Sequence, residues 1–127
     1  MASENFERGD KIRREVLGAD YVDRSKAQAQ ADDFMEPMLK LTTEYCWGEV
    51  WARDDLPRKT RSLINIAMLA ATAKSTELRT HTRGALNNGA TVEEIRGVLL
   101  QVAIYCGIPT AIEAFRQAKQ AIDEYNA

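Results

Sequence analysis

The chain has 127 residues, of which 17 are Lys or Arg and 19 are Asp or Glu, giving a formal net charge of −2, and 45% of its residues are hydrophobic. This length suits one domain, residues 1–127, with a core of its own. The charge balance excludes a basic footprint for nucleic acid and a polybasic membrane patch. The stretch Met1–Arg8 is charged and lacks an apolar signal core, and the longest apolar run, Ile66–Ala73, is broken by Thr72. A cytoplasmic protein without a membrane partner is therefore expected.

Helical patterns dominate, and no stretch alternates strictly between apolar and polar residues. Phe6–Leu17 is amphipathic through Phe6, Ile12, Val16 and Leu17, with Gly18 as its stop. Tyr21–Ser25 reads as a connector. A second helix is expected from about Ser25 to Tyr45, with Phe34, Met38 and Leu41 as its stripe and Pro37 as a kink. Cys46–Pro57, with Trp47 and Trp51 around Gly48 and Glu49, reads as a tight loop or short helical turn. Pro57–Ala73 is apolar nearly all round and is expected to be the central buried helix of a domain or an oligomer.

The first turns of that helix carry Arg58, Lys59 and Arg61. Cations there oppose the helix dipole, so they point either to an anion site or to pairing with Glu49, Asp54 and Asp55. Ser75 is the expected cap of the next helix, which ends at Asn88-Gly89 and contains the chain's one histidine, His81. Glu77 lies one turn before His81, and Leu78, Ala85 and Leu86 share its face, which turns the imidazole inward. This is either a proton-transfer site or an ordinary packed histidine with a carboxylate neighbour. Arg79 and Arg83 read as surface or inter-subunit charges. Thr91 and Glu94 form a capping-box pattern for the helix through Tyr105. After Cys106–Pro109, a last helix puts Ala111, Ile112, Phe115, Ala118 and Ile122 inward. The fold class is all-α, with about six helices joined by short turns.

Cys46 and Cys106 are isolated thiols, and there is no C-x-x-C, no paired-histidine spacing and no glycine-rich phosphate loop. No metal and no cofactor is expected.

Several blocks taken together resemble the γ-carboxymuconolactone decarboxylase family. They are Arg13-Arg14-Glu-Val-Leu-Gly18, Trp47-Gly-Glu-Val-Trp51, Arg58-Lys-Thr-Arg61-Ser-Leu63, Glu77-Leu-Arg-Thr-His81-Thr-Arg83-Gly-Ala-Leu86, Asn88-Gly-Ala-Thr91-Val-Glu-Glu-Ile95 and Val98 through Pro109. The resemblance implies the all-α fold shared with the alkylhydroperoxidase D group, assembled as a ring of six. It also implies a cofactor-free reaction of protocatechuate breakdown, in which γ-carboxymuconolactone loses carbon dioxide to become 3-oxoadipate enol-lactone. The redox branch of that group has two cysteines where this chain has Lys74 and Glu77. Thiol-dependent peroxidase or disulfide chemistry is thus the lesser alternative, beside another carboxylated lactone as substrate or a non-catalytic helical assembly that binds a small acid.

Within this reading His81 supplies a proton to carbon, since its ordinary pKa lies near neutrality. Glu77 or Glu49 orients it. Arg61 holds a substrate carboxylate, with Arg53 and Arg58 as second choices. Trp47 and Tyr105 form an apolar wall, and the Tyr105 hydroxyl is a candidate oxyanion donor.

Overall fold

A computed structural model describes residues 2–127. Among these residues there is no strand, and no helix is long and apolar enough to cross a membrane. The chain divides into two compact units, one ending at Leu56 and the other running from Pro57 to Ala127.

The first unit holds α1 (Glu4–Leu17), α2 (Ala19–Asp32), α3 (Glu36–Leu41) and a π-helix (Thr42–Val50). Ser3 caps α1 by accepting from the Phe6 N–H at 3.0 Å. Gly18 ends it at φ 96°, a backbone state that glycine reaches without strain. The chain re-enters a helix at once, so Tyr21–Ser25 lies inside α2 and is not a connector. Asp33, at φ 61°, stops α2. Pro37 sits in the first turn of α3, where a missing N–H costs nothing. The stretch expected as one helix kinked or divided at Pro37 is divided, and the described residues hold seven α-helices.

The stripe of Phe34, Met38 and Leu41 is 83%, 53% and 52% exposed, and α3 buries no residue. Phe34 lies in the bend before α3, so the three do not form the stripe of one helix, and six residues are too short to lay a full face on a core. Of the two readings of the stretch around Trp47, tight loop or short helical turn, the helical one is observed: it is the end of the π-helix, closed by a Trp51 N–H to Cys46 carbonyl bond of 2.9 Å. Trp47 and Trp51 stack with centroids 4.6 Å apart and form the core of this unit with Ile12, Val16 and Leu17. Two glycines let α1 cross the π-helix. A Cβ on Gly9 would lie 1.9 Å from the Thr43 carbonyl oxygen, and one on Gly48 would lie 2.4 Å from that of Asn5.

The second unit holds α4 (Arg58–Ala71), α5 (Ser75–Asn87), α6 (Val92–Cys106) and α7 (Ile108–Tyr125). The capping box at α6 is present: Thr91 Oγ1 accepts from the Glu94 N–H at 3.0 Å, and Glu94 Oε1 accepts from the Thr91 N–H at 2.9 Å. The cap of α5 falls on Lys74 and not Ser75, and it has no side-chain bond. The core joins Ile66, Ala70, Leu78, Ala85, Ile95, Leu99, Val102, Ala114 and Ala118. On α7 the buried positions are Ala111, Ala114, Ala118 and Ala121, while Ile112 is exposed. Small side chains bring α7 close to its neighbours, and the larger ones expected inward stand at the margin. Nor is α4 buried all round: Ser62, Ile66 and Ala70 are buried, and Ile64 and Met68 are exposed.

Candidate active site

Successive residues of a helix turn by roughly 100°, so α4 presents three distinct faces. Ser62, Ile66 and Ala70 form the core face. Leu63, Ile64, Ala67 and Ala71 face an apolar groove of about 460 Å³ that Val98, Val102 and Tyr105 of α6 complete. Arg58, Arg61 and Asn65 fall on a third, polar face, which borders the groove along Ile64 and Met68.

The polar face of α4 meets α5 at His81. Asn65 Nδ2 and His81 Nδ1 are 3.3 Å apart. The ring is half-buried, beside Leu78, Thr82 and Ala85, which are fully buried on the same helix. The inward turn expected from spacing is therefore observed as far as the edge of the core. Thr82 Oγ1 donates to the Leu78 carbonyl at 2.7 Å, which disposes of a buried hydroxyl within the helix. At the far end of α5, Asn88 Nδ2 donates to Ser62 Oγ at 2.9 Å and ties the two helices together. Arg61 lies one turn before Asn65, within side-chain reach of that amide's neighbourhood, and is half-buried.

The other nominated residues are placed differently. Glu77 is exposed in the first turn of α5, one turn before His81. Arg58 is exposed at the start of α4. Its neighbour Lys59 pairs with Glu94 at 3.1 Å, a partner absent from the acids named from sequence. The Thr91 N–H, followed by Lys59, holds the Glu94 carboxyl below its ordinary value. Tyr105 is 81% exposed and lines the apolar groove, while His81 is not part of that lining. Arg79 and Arg83 are not loose surface charges: they reach Gln117 and Glu124 of α7, the latter at 3.9 Å.

Three nominated residues belong to the first unit. Trp47 is 2% exposed, so it is a core residue and offers a ligand no surface within this unit. Glu49 is exposed on the π-helix and accepts a hydrogen bond from Asn5 Nδ2. Arg53 is engaged with Asp55 at 2.8 Å in an exposed pair. Cys46 and Cys106 are free thiols. Cys46 is an exposed residue, and partial burial of its sulfur pushes the thiol up, against the pull of the Arg13 cation. No group of three or more His, Cys, Asp or Glu is arranged to hold a metal among the described residues.

Sequence reasoning passed over Asn65. The signal was present: an amide interrupts the apolar run Leu63-Ile64-Asn65-Ile66, one turn after Arg61.

Residues 36–120 match the model of the carboxymuconolactone decarboxylase family, a match that spans both units. Over 119 residues the chain is 43% identical to the nitrosuccinic acid decarboxylase of Metarhizium robertsii, covering 94% of this chain and 82% of that protein. Over 121 residues it is 36% identical to the 4-carboxymuconolactone decarboxylase of Acinetobacter baylyi, covering 95% and 89%. It is also 34% identical over 76 residues to peroxisomal protein 2 of Schizosaccharomyces pombe, covering 56% of this chain and 35% of that protein.

Proposed function

The chain belongs to the carboxymuconolactone decarboxylase family and is a carboxy-lyase; from that premise we propose that it removes carbon dioxide from 4-carboxymuconolactone without a cofactor, giving 3-oxoadipate enol-lactone, with His81 as proton donor. Loss of carbon dioxide leaves an electron pair on carbon, and the conjugated lactone accepts it on its own carbonyl. The substrate thereby supplies the electron sink for which other decarboxylases use pyridoxal or thiamine. The protein's tasks are to hold carboxylates, steady the oxyanion and protonate carbon.

The observation that supports this reading is the half-buried imidazole held by a neutral amide, one helical turn from the Arg61 guanidinium. A guanidinium binds a carboxylate through two parallel hydrogen bonds, which makes Arg61 the first choice for substrate. Arg58, one turn further out on the same face, is the second, and Arg53 the third. Glu77, one turn before His81 on α5, is the orienting carboxylate of this unit, with Glu49 as the alternative. Tyr105 belongs to the groove and serves as wall or oxyanion donor where that groove meets substrate.

A second substrate is favoured by the 43% identity to the nitrosuccinic acid decarboxylase. Nitrosuccinic acid also carries two carboxylates, and its nitro group takes the electron pair as the lactone carbonyl would. The same arginine and histidine roles serve both. Lys74 and Glu77, standing where the redox branch has its two cysteines, weigh against the thiol-redox alternative.

The working form we take to be one domain assembled as a cytoplasmic ring of six. Ile104 and Tyr105, at 77% and 81% exposure, are the kind of apolar surface that a partner subunit covers.

The decisive experiment mixes purified protein with each acid in turn, with no added cofactor, and follows carbon dioxide. Release from the lactone above its spontaneous rate is expected. Release only from nitrosuccinic acid transfers the assignment to that substrate, and none from either removes both.

A further inference from the structure

We propose that Asn65 is the positioning residue for His81, and that its hold on Nδ1 makes Nε2 the nitrogen that exchanges a proton with the substrate carbon. The proposal rests on the reading of His81 as proton donor and adds which nitrogen works and what aims it.

The geometry begins with α4. Arg61 and Asn65 are one turn apart on its polar face, and Asn65 reaches across to α5, where its amide nitrogen is 3.3 Å from His81 Nδ1. Two ties fix the spacing of these helices. Asn88 binds Ser62 at 2.9 Å, and Leu78 and Ala85 pack in one core with Ile66 and Ala70. An amide so placed is held by both helices and restricts the imidazole to one orientation. With Nδ2 donating, Nδ1 accepts, and the neutral ring carries its proton on Nε2.

A primary amide suits this task better than a carboxylate. It donates from Nδ2 to Nδ1 of the neutral ring, and after a half-turn it accepts at Oδ1 from Nδ1–H of the imidazolium. The amide therefore follows the ring through both charge states and locks neither. In the chemical step the electron pair of the broken carbon–carbon bond, spread through the substrate, takes the proton from Nε2. The Nε2–H bond breaks, a C–H bond forms, and the ring is left neutral with its Nδ1–H on the Asn65 oxygen. Solvent then returns the proton. A carboxylate at this position would instead stabilise the imidazolium and make it a poorer acid.

His81 is the chain's one histidine, so its ring nitrogens are readable without assignment in long-range ¹H–¹⁵N spectra of uniformly labelled protein. At a pH where the ring is neutral, the proton is expected on Nε2, with Nδ1 shifted as a hydrogen-bond acceptor. Asn65→Leu should shift Nδ1 away from its hydrogen-bonded value. Asn65→Asp should move the proton to Nδ1. Both variants should keep their helical circular dichroism. In Asn65→Asp kcat should fall at least ~100-fold with KM within ~3-fold, as expected when a carboxylate beside Nδ1 stabilises the imidazolium and makes Nε2–H a poorer acid. A neutral ring protonated on Nδ1 in the unsubstituted protein overturns the proposal. So does a ring signature that neither substitution changes, or an unchanged kcat in Asn65→Asp when His81→Ala is inactive. The spectra need no substrate, so they judge the Asn65–His81 link even where His81→Ala keeps its turnover, and in that case it is the proton-donor reading that falls.

Discussion

The crossing of α1 with the π-helix and the seam between α4 and α5 both hold residues nominated for chemistry, yet they are built in opposite ways. At the crossing, glycines bring two backbones together, and Trp47 and Trp51 stack in a sealed core at 2% and 5% exposure. At the seam, polar side chains meet half-exposed, and one imidazole finds an amide at 3.3 Å. Sealed packing gives stability and offers no surface to a substrate. The seam keeps groups that can change partner or proton. A motif in the sequence does not distinguish these uses, because a block such as Trp47-Gly-Glu-Val-Trp51 has the same letters whichever task it serves.

Substitution at the two places should separate stability from turnover. Trp47→Ala should cost about 3–5 kcal/mol in urea unfolding, as for a large aromatic removed from a packed core. A loss under 1 kcal/mol would mean that the first unit does not rely on its tryptophan stack. His81→Ala should do the converse. Its unfolding midpoint should hardly move, while turnover on the accepted acid falls at least ~100-fold, the low end for general acid–base catalysis and equivalent to about 2.7 kcal/mol of barrier. Near-normal turnover would remove His81 from the mechanism.

Gly9→Ala tests the crossing more finely. The new methyl would meet the Thr43 carbonyl at 1.9 Å, and that oxygen belongs to backbone, not to the yielding tip of a side chain. Overpacking of this kind costs about 1–3 kcal/mol, measured by the same unfolding curves. A fully stable variant would mean that α1 and the π-helix separate freely.

The same contrast explains what could be read from the chain alone. Helices with end signals were legible: Gly18, the Thr91–Glu94 box and Asn88-Gly89 all act where expected. The first unit was harder, because Pro37 fits a helix start as well as a kink, and nothing local distinguishes a π-helix from a loop. Gly9 gave no sign either, since its reason for being glycine is a carbonyl more than thirty positions away. At the seam, spacing alone turned His81 toward Leu78 and Ala85. Spacing nominates Glu77, one turn away on α5, whereas the amide facing the His81 Nδ1 comes from the neighbouring helix. Helical periodicity reports neighbours on one helix; contacts between helices need the packing.

The smallest effect belongs to the exposed margin of the second unit, where Glu94 serves two partners at once. It closes the α6 cap with Thr91 and meets Lys59 of α4 at 3.1 Å. The Thr91 N–H and then Lys59 hold its folded-state pKa below the ordinary 4.5. A lowered carboxylate pKa means that the unfolded chain binds the proton more readily. The stabilisation is therefore complete above 4.5 and is lost as pH falls through the folded value. Glu94→Gln keeps an oxygen for the Thr91 N–H but gives up the charge. The variant should melt slightly below the unsubstituted protein at neutral pH, and the gap should close as pH drops below 4.5. Other acids that titrate in this range, Asp10 among them, are common to both proteins and cancel in the difference. A gap that stays constant into acid would assign the effect of Glu94 to its shape in the cap and not to its charge.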